Sequence, residues 1–273
     1  MSIRRGILHI LLIFAAVLQL MPLYWLLLFS LKNNQEAFGK HPLAFPEKLR
    51  FENYERVWTV GNIDNYFINS VWYTATSTIA TVFLASMATY AITRMRWKGS
   101  KLALGVFMVG IMIPVHATLI PLFQFYLRLG LINHPLSLIL SYIAFNLPIT
   151  IMVMLGFYYS LPRELEEAAI IDGCSVNRMF FRIVLPMTGS VVTTSAIINM
   201  IYNWNEFIFV NTFISSDTRK TLTVGIQNFV GQYAIDWGAI GATLMISILP
   251  ILAAYLVLSD RIVEAITAGS LKG

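Results

Sequence analysis

The sequence predicts an all-α, polytopic membrane fold with six transmembrane helices and a cytoplasmic helical loop between the fourth and the fifth. Three observations carry that expectation. Hydrophobic residues make up 57% of the 273 positions and charged ones 12%, against about 45–50% and about 25% in soluble globular proteins. The mean hydropathy is +0.69, so the main solvent of this chain is lipid, and disordered, collagenous and low-complexity classes are excluded. Six segments reach the roughly 20 mostly apolar residues that a ~30 Å hydrocarbon layer demands of a helix rising ~1.5 Å per residue.

The first segment, residues 7–31, follows Arg4 and Arg5. It is too long for a signal-peptide core and lacks a small-x-small cleavage site, so it reads as a retained helix, kinked near Pro22. The connection 32–65 carries His41-Pro42, Phe45-Pro46, Phe51, Tyr54 and Trp58; it is long enough to pack over the bundle mouth without forming its own domain. Spans two and three, 66–92 and 102–120, are joined by a short connection dense in cations: Arg94, Arg96, Lys98 and Lys101. That density places this connection and both termini in the cytoplasm, with eleven of the nineteen Lys and Arg residues on the inner side. Segment 121–135 alternates Phe123, Phe125, Tyr126 and Leu129 with Gln124 and Arg128, the pattern of a short surface helix. Spans four to six are 135–159, 187–208 and 237–259. Tyr66, Trp72 and Tyr73 read as an aromatic interface belt. With no internal repeat or Pro/Ser-rich linker, residues 1–273 read as a single transmembrane domain, its core at about 66–260.

Self-contained chemistry finds no support. There is no Gly-rich loop ending in Gly-Lys-Ser/Thr to cradle phosphate, no His-Glu-x-x-His and no Gly-x-Ser-x-Gly. The single cysteine, Cys174, forbids a cysteine metal cluster, and His9, His41, His116 and His134 are scattered. A net charge of +5 belongs here to loops facing anionic lipid rather than to nucleic-acid binding. Secondary transporters carry several ionisable residues within their spans. This chain has one, Glu206, so its energy source is expected in another subunit.

Segment 161–187 reads LPRELEEAAIIDGCSVNRMFFRIVLPM. Pro162 suits a first helical turn, and Glu164, Glu166 and Glu167 suit a helix N-terminus by charge. The helix should stop at Gly173. A second short helix is expected from Ser175, with Phe180, Phe181, Ile183 and Leu185 apolar, ending before Pro186. Such a unit cannot span and suits a partner's groove. Here the chain resembles the membrane subunits of bacterial ABC importers: Glu167-Ala168-Ala169, then Asp172-Gly173, then Ile183-Val184-Leu185-Pro186 match their EAA loop. Over essentially the whole length it is similar to the carbohydrate-uptake branch, and there to the smaller, six-helix subunit of the maltose type. Asn69-Ser70, Ala88-Thr89-Tyr90-Ala91, Ile113-Pro114, Trp204-Asn205-Glu206-Phe207, Thr221 to Gly225 and the tail Thr267 to Gly273 fall in the family's order.

The resemblance implies a complex of this chain with a second homologous permease, two ATP-binding subunits below and an extracytoplasmic solute-binding protein above, in the bacterial inner membrane. It implies no cofactor in this chain, ATP and Mg being bound by the ATPase partners, and no catalytic residue. The implied coupling residues are Glu167, as a charge or hydrogen-bond contact, Ala168 and Ala169 for close approach, Asp172, Gly173 for the sharp turn, and Pro186. A sugar is held by hydrogen bonds and ring stacking, so the candidates along its path are Asn146 in span four and Asn199, Tyr202, Asn203, Trp204, Asn205 and Glu206 in span five. Asn203 and Glu206 suit equally a role in joining neighbouring helices. A glycerol-phosphate importer of the same family and, from a different class, a membrane-embedded transferase are the alternatives.

Overall fold

The computed structural model of the chain describes residues 3–39, 41–231 and 235–270; Leu271, Lys272 and Gly273 of the tail lie outside the described residues. The fold is all-α. Its helices are α1 (Ile3–Ser30), α2 (Asn34–Ala37), α3 (Glu52–Thr59), α4 (Ile63–Thr93), α5 (Ser100–Met112), α6 (Leu119–Arg128), α7 (Pro135–Ser160), α8 (Glu164–Ile171), α9 (Val176–Met179), α10 (Leu185–Met187), α11 (Gly189–Trp204), α12 (Ile208–Phe213), α13 (Leu222–Gly225) and α14 (Trp237–Ser270). Among the described residues the only β pairing is an isolated bridge between Val230 and Ile235.

Four helices are long and apolar enough to cross a membrane by themselves: Arg5–Ser30, Ile63–Thr93, Pro135–Ser160 and Trp237–Val257. Two helix pairs are bent instead, one within the expected third span and one where the last loop helix meets the expected fifth. Ser100–Met112 and Val115–Arg128 meet at 90°, and Val176–Met187 and Gly189–Trp204 at 76°. The first break has a local cause. Pro114 lacks an N–H and crowds the residue before it, and Ile113 duly adopts an extended conformation with ψ of 117°. Pro22, by contrast, sits inside an uninterrupted α1. Pro186 does not end the loop's second helix either. Phe180–Val184 forms a π turn that runs into α10, and the helical path continues to Met187.

Contacts divide the chain into two compact units, residues 1–67 with 221–251, and residues 68–220 with 252–273. In the first, α3 and the start of α14 hold the end of α1 in place. Asn53, buried on α3, donates from Nδ2 to the carbonyls of Ser30 (2.8 Å) and Lys32 (2.9 Å). Asn34 receives the Trp237 N–H and donates to Ile235 O. Gly241 lets α14 approach α1, where a Cβ would come within 2.6 Å of the Phe29 ring. Tyr66 is fully buried in this unit and its hydroxyl accepts from Asn228. Tyr73, in the second unit, is buried as well and donates to Arg219 O. Only Trp72 of the expected aromatic belt is exposed. A phenol with a polar partner inside the protein has no need of the headgroup layer.

Earlier in α1 the situation reverses. Ile10, Leu12, Phe14, Val17 and Leu20 are each at least 59% exposed, which only lipid or another membrane protein can tolerate. In the second unit α7 packs between α5 and α11. A cluster of Val82, Tyr90, Ile151, Met154, Tyr158, Met179, Phe180 and Val184 fixes the loop helices onto α4 and α7.

Replacing Asn53 by alanine strands two buried carbonyls, a loss of about 1–3 kcal/mol. The Asn53→Ala variant should therefore melt at a lower temperature in detergent, whereas Glu55→Ala on the exposed face of the same helix should not change the melting temperature.

Candidate functional site

Two places in the second unit gather the residues singled out by the sequence. The first is the loop between α7 and α11. Helix α8 opens on Glu164, Glu166 and Glu167, acids that oppose its N-terminal partial charge. It closes in a full Schellman motif: the Gly173 N–H bonds Ile170 O (3.0 Å) and the Cys174 N–H bonds Ala169 O (2.9 Å). Gly173 has φ of +73°, a left-handed conformation that glycine alone adopts freely. Nothing lies within 4 Å of a Cβ placed there, so backbone conformation and not crowding demands the glycine.

Ala169 is buried, while Glu167, Ala168, Asp172, Gly173 and Pro186 are exposed. The most prominent apolar atoms of the loop belong to Ile170 and Ile171, 62% and 86% exposed. Neither was singled out by sequence reasoning, although an apolar pair just before a helix-stopping glycine was the available signal. The result is a short rigid knuckle with an apolar tip and an acidic N-terminal edge.

The other end of this knuckle is tied down by a residue that the sequence presents as one more cytoplasmic cation. Arg94, the first residue beyond α4, is not a solvated loop charge. Its side chain is 3% exposed and forms a salt bridge with Glu166 at 2.8 Å. No motif announces this; an arginine immediately after a long apolar helix reads as a membrane-edge residue.

The second place is a cavity of about 440 Å³ among α5, α7, α11 and α12. Asn146, Tyr202, Asn203 and Glu206 line it, together with Tyr142, Phe145, His116 and Phe209. The Phe145 and Phe209 rings stack with centroids 5.6 Å apart, an aromatic wall beside the polar groups. Asn146 Nδ2 donates to Asn203 Oδ1 (2.8 Å), and Asn203 Nδ2 donates in turn to Thr78 Oγ1 (3.2 Å), so one polar chain joins α7, α11 and α4. Asn199 and Trp204 are buried away from the cavity, Asn199 donating to Thr150. Asn205 is exposed and turns back onto Ile201 O.

Glu206 stands where α11 has ended and α12 has not begun. Its carboxylate accepts the Phe209 N–H (2.7 Å), the Val210 N–H (3.2 Å) and the Tyr142 hydroxyl (3.1 Å). It therefore satisfies the otherwise unpaired amides at the start of α12. This explains how a charged residue is accommodated within an otherwise apolar stretch, and it gives Glu206 an architectural task at the cavity wall. Glu206→Ala should lower stability by about 1–3 kcal/mol through the amides it abandons, with Glu206→Gln closer to wild type. Melting of the purified protein tests this, and an alanine variant as stable as wild type would remove the capping role.

Known proteins resemble this chain along the same lines. The family profile described as binding-protein-dependent transport system inner membrane component matches residues 77–268. A probable ABC transporter permease of Bacillus subtilis is 36% identical over 252 residues, covering 92% of this chain and 83% of that protein. The diacetylchitobiose uptake system permease of Streptomyces coelicolor is 34% identical over 266 residues, 97% of this chain and 88% of its own. The trehalose/maltose transport system permease of Thermococcus litoralis is 32% identical over 275 residues, 99% and 98%. Among solved structures, a chain of a bacterial ABC transporter involved in import of the acidic polysaccharide alginate superposes with a TM-score of 0.81 at 19% identity, covering 95% of this chain and 98% of that one. This last likeness concerns the fold.

Proposed function

This chain belongs to the binding-protein-dependent transport system inner membrane component family, as a non-catalytic, multi-pass permease subunit of an ABC importer, and we propose that its cargo is a sugar or short oligosaccharide. The cargo would pass between this chain and a second, homologous permease. Two ATP-binding subunits, which hold the ATP and Mg, would dock below and a solute-binding protein would deliver from above. The carbohydrate reading is supported by the relatives whose names carry diacetylchitobiose and trehalose/maltose. It is also supported by the cavity, where amide and hydroxyl groups stand beside a stacked aromatic pair, the combination that holds a polyol ring.

The observation that carries the coupling role is the α8 knuckle. A helix of eight residues, stopped by a left-handed glycine and offering Ile170 and Ile171 to solvent, is shaped to enter a groove. In this reading Glu167 makes a polar contact at the rim and the exposed Ala168 permits close approach, whereas Ala169, buried within this chain, seats α8 on its own subunit; Asp172, Gly173 and Pro186 set the exit of the loop. We read six spans in one transmembrane domain, the third bent at Pro114 and the fifth running along α11 beyond the loop, with both termini cytoplasmic on the side of Arg96, Lys98 and Lys101. Closure of the ATPase pair would drive α8 and exchange inward-open for outward-open states of the path.

Co-purification of the tagged chain from its native membrane, read by mass spectrometry and ATPase assay, tests this. A second permease and an ATPase subunit should accompany the wild type. Glu167→Ala and Gly173→Val should lose the ATPase subunit while retaining the second permease. Recovery of the chain alone, or full retention of the ATPase by both variants, would overturn the reading.

A further inference from the structure

A knuckle that enters an ATPase can move a membrane path only if it cannot swing freely on its own linker. Residues 161–163 are all that separate α7 from α8, and the apolar cluster that anchors the loop takes Leu161 before α8, Cys174 after it, and Met179, Phe180, Val184 and Leu185 beyond, but no residue of α8 itself. Apart from the buried Ala169, the hold on the first turn of α8 is polar and comes from the Arg94 guanidinium. Its Nη1 donates to the carbonyls of Tyr158 (3.3 Å) and Leu161 (3.1 Å), its Nη2 to Pro162 O (3.4 Å), and both Nε (2.9 Å) and Nη2 (2.8 Å) meet Glu166 Oε2.

These contacts have a common logic. Tyr158 lies in the last turn of α7, where carbonyls lack helical partners and a cation is favoured; Glu166 lies in the first turn of α8. One planar fork thus bridges the negative end of one helix and an acid on the next, across the linker between them. Its backbone is in turn rigid, because the Arg94 N–H still bonds Tyr90 O (2.9 Å) in continuation of α4. The Trp97 indole folds back to Ala91 O and closes the end of the same helix. Lysine could supply the charge but not the fork. Glu166 keeps its second oxygen, Oε1, buried and without a partner among the described residues.

We propose that Arg94 is the positioning residue that makes α8 move as one body with α4 and the end of α7, converting displacement at the ATPase into displacement of the spans. The proposal rests on the reading of α8 as the ATPase dock. It predicts that loss of the fork lets α8 follow the ATPase while α4 lags, with the loop still folded, because Tyr90, Met179 and Phe180 keep their packing.

The test uses the assembled importer in nanodiscs. Spin labels are placed at Ile79→Cys, on the exposed face of α4 and about 22 Å from Arg94 by helical rise, and at Glu164→Cys on α8, in a Cys174→Ser background. The interspin distance is measured without nucleotide and after trapping with MgATP and vanadate. With Arg94 present the distance should be narrow and the same in both states. With Arg94→Ala it should differ between the states, with Glu166→Gln it should shift in the same direction, and with Arg94→Lys the shift should be smaller. A merely structural role would lower melting temperature and broaden both states alike; that result, or an Arg94→Ala distance unchanged by nucleotide, overturns the proposal. If adding the ATPase subunits fails to immobilise the Glu164 label even with Arg94 intact, the docking premise itself falls, an outcome separable from failure of the fork.

Discussion

Hydrocarbon offers no hydrogen bonds, so the amide and carboxylate groups that this chain carries into its spans find their main partners within the protein. The arrangement of the second unit is a consequence of that constraint. Asn146, Asn203 and Thr78 answer one another across three helices, and the Asn199 Nδ2 is answered by Thr150 and by its own helix. Glu206 is answered by two amides and a phenol. At the cavity wall Asn146, Asn203 and Glu206 are held by these bonds, beside the stacked rings of Phe145 and Phe209.

The same constraint shapes the cytoplasmic end. Where α7 stops, its last carbonyls need donors, and Arg94 supplies them at Tyr158 and Leu161. That choice has a mechanical consequence. The group that completes the end of one helix is also bonded to the next helix and rooted in a third, so the knuckle is built into the bundle instead of being suspended from it. Its outer half carries Ile170 and Ile171, exposed beside a glycine that terminates the helix without any side chain.

Much of this was legible in the sequence because it depends on local rules. Four of the apolar runs of span length, the acids at the start of α8 and the stop at Gly173 are signals local to one stretch of helix, and each appears where it was expected. The interruption at Pro114 was equally local, but a long apolar run masked it. What the sequence could not reveal depends on residues far apart. Arg94 finds Glu166 72 positions away, and Tyr66 finds Asn228 162 positions away; before folding, both look like membrane-edge residues. The seven path candidates were chosen by residue type along the spans. Which of them face a common space depends on helix rotation and on the break after Trp204, neither of which composition records.

The central claim is that the tip of α8 is the surface by which this permease engages its ATPase. The most direct measurement is the rate at which a membrane-impermeant thiol reagent modifies Ile171→Cys in a Cys174→Ser background, in inside-out vesicles with and without the ATPase subunits. Ile171 is 86% exposed in the chain alone, so fast modification that becomes strongly protected when the ATPase is present is the result predicted here. Equal modification rates in the two preparations, with the ATPase bound and active, would contradict it.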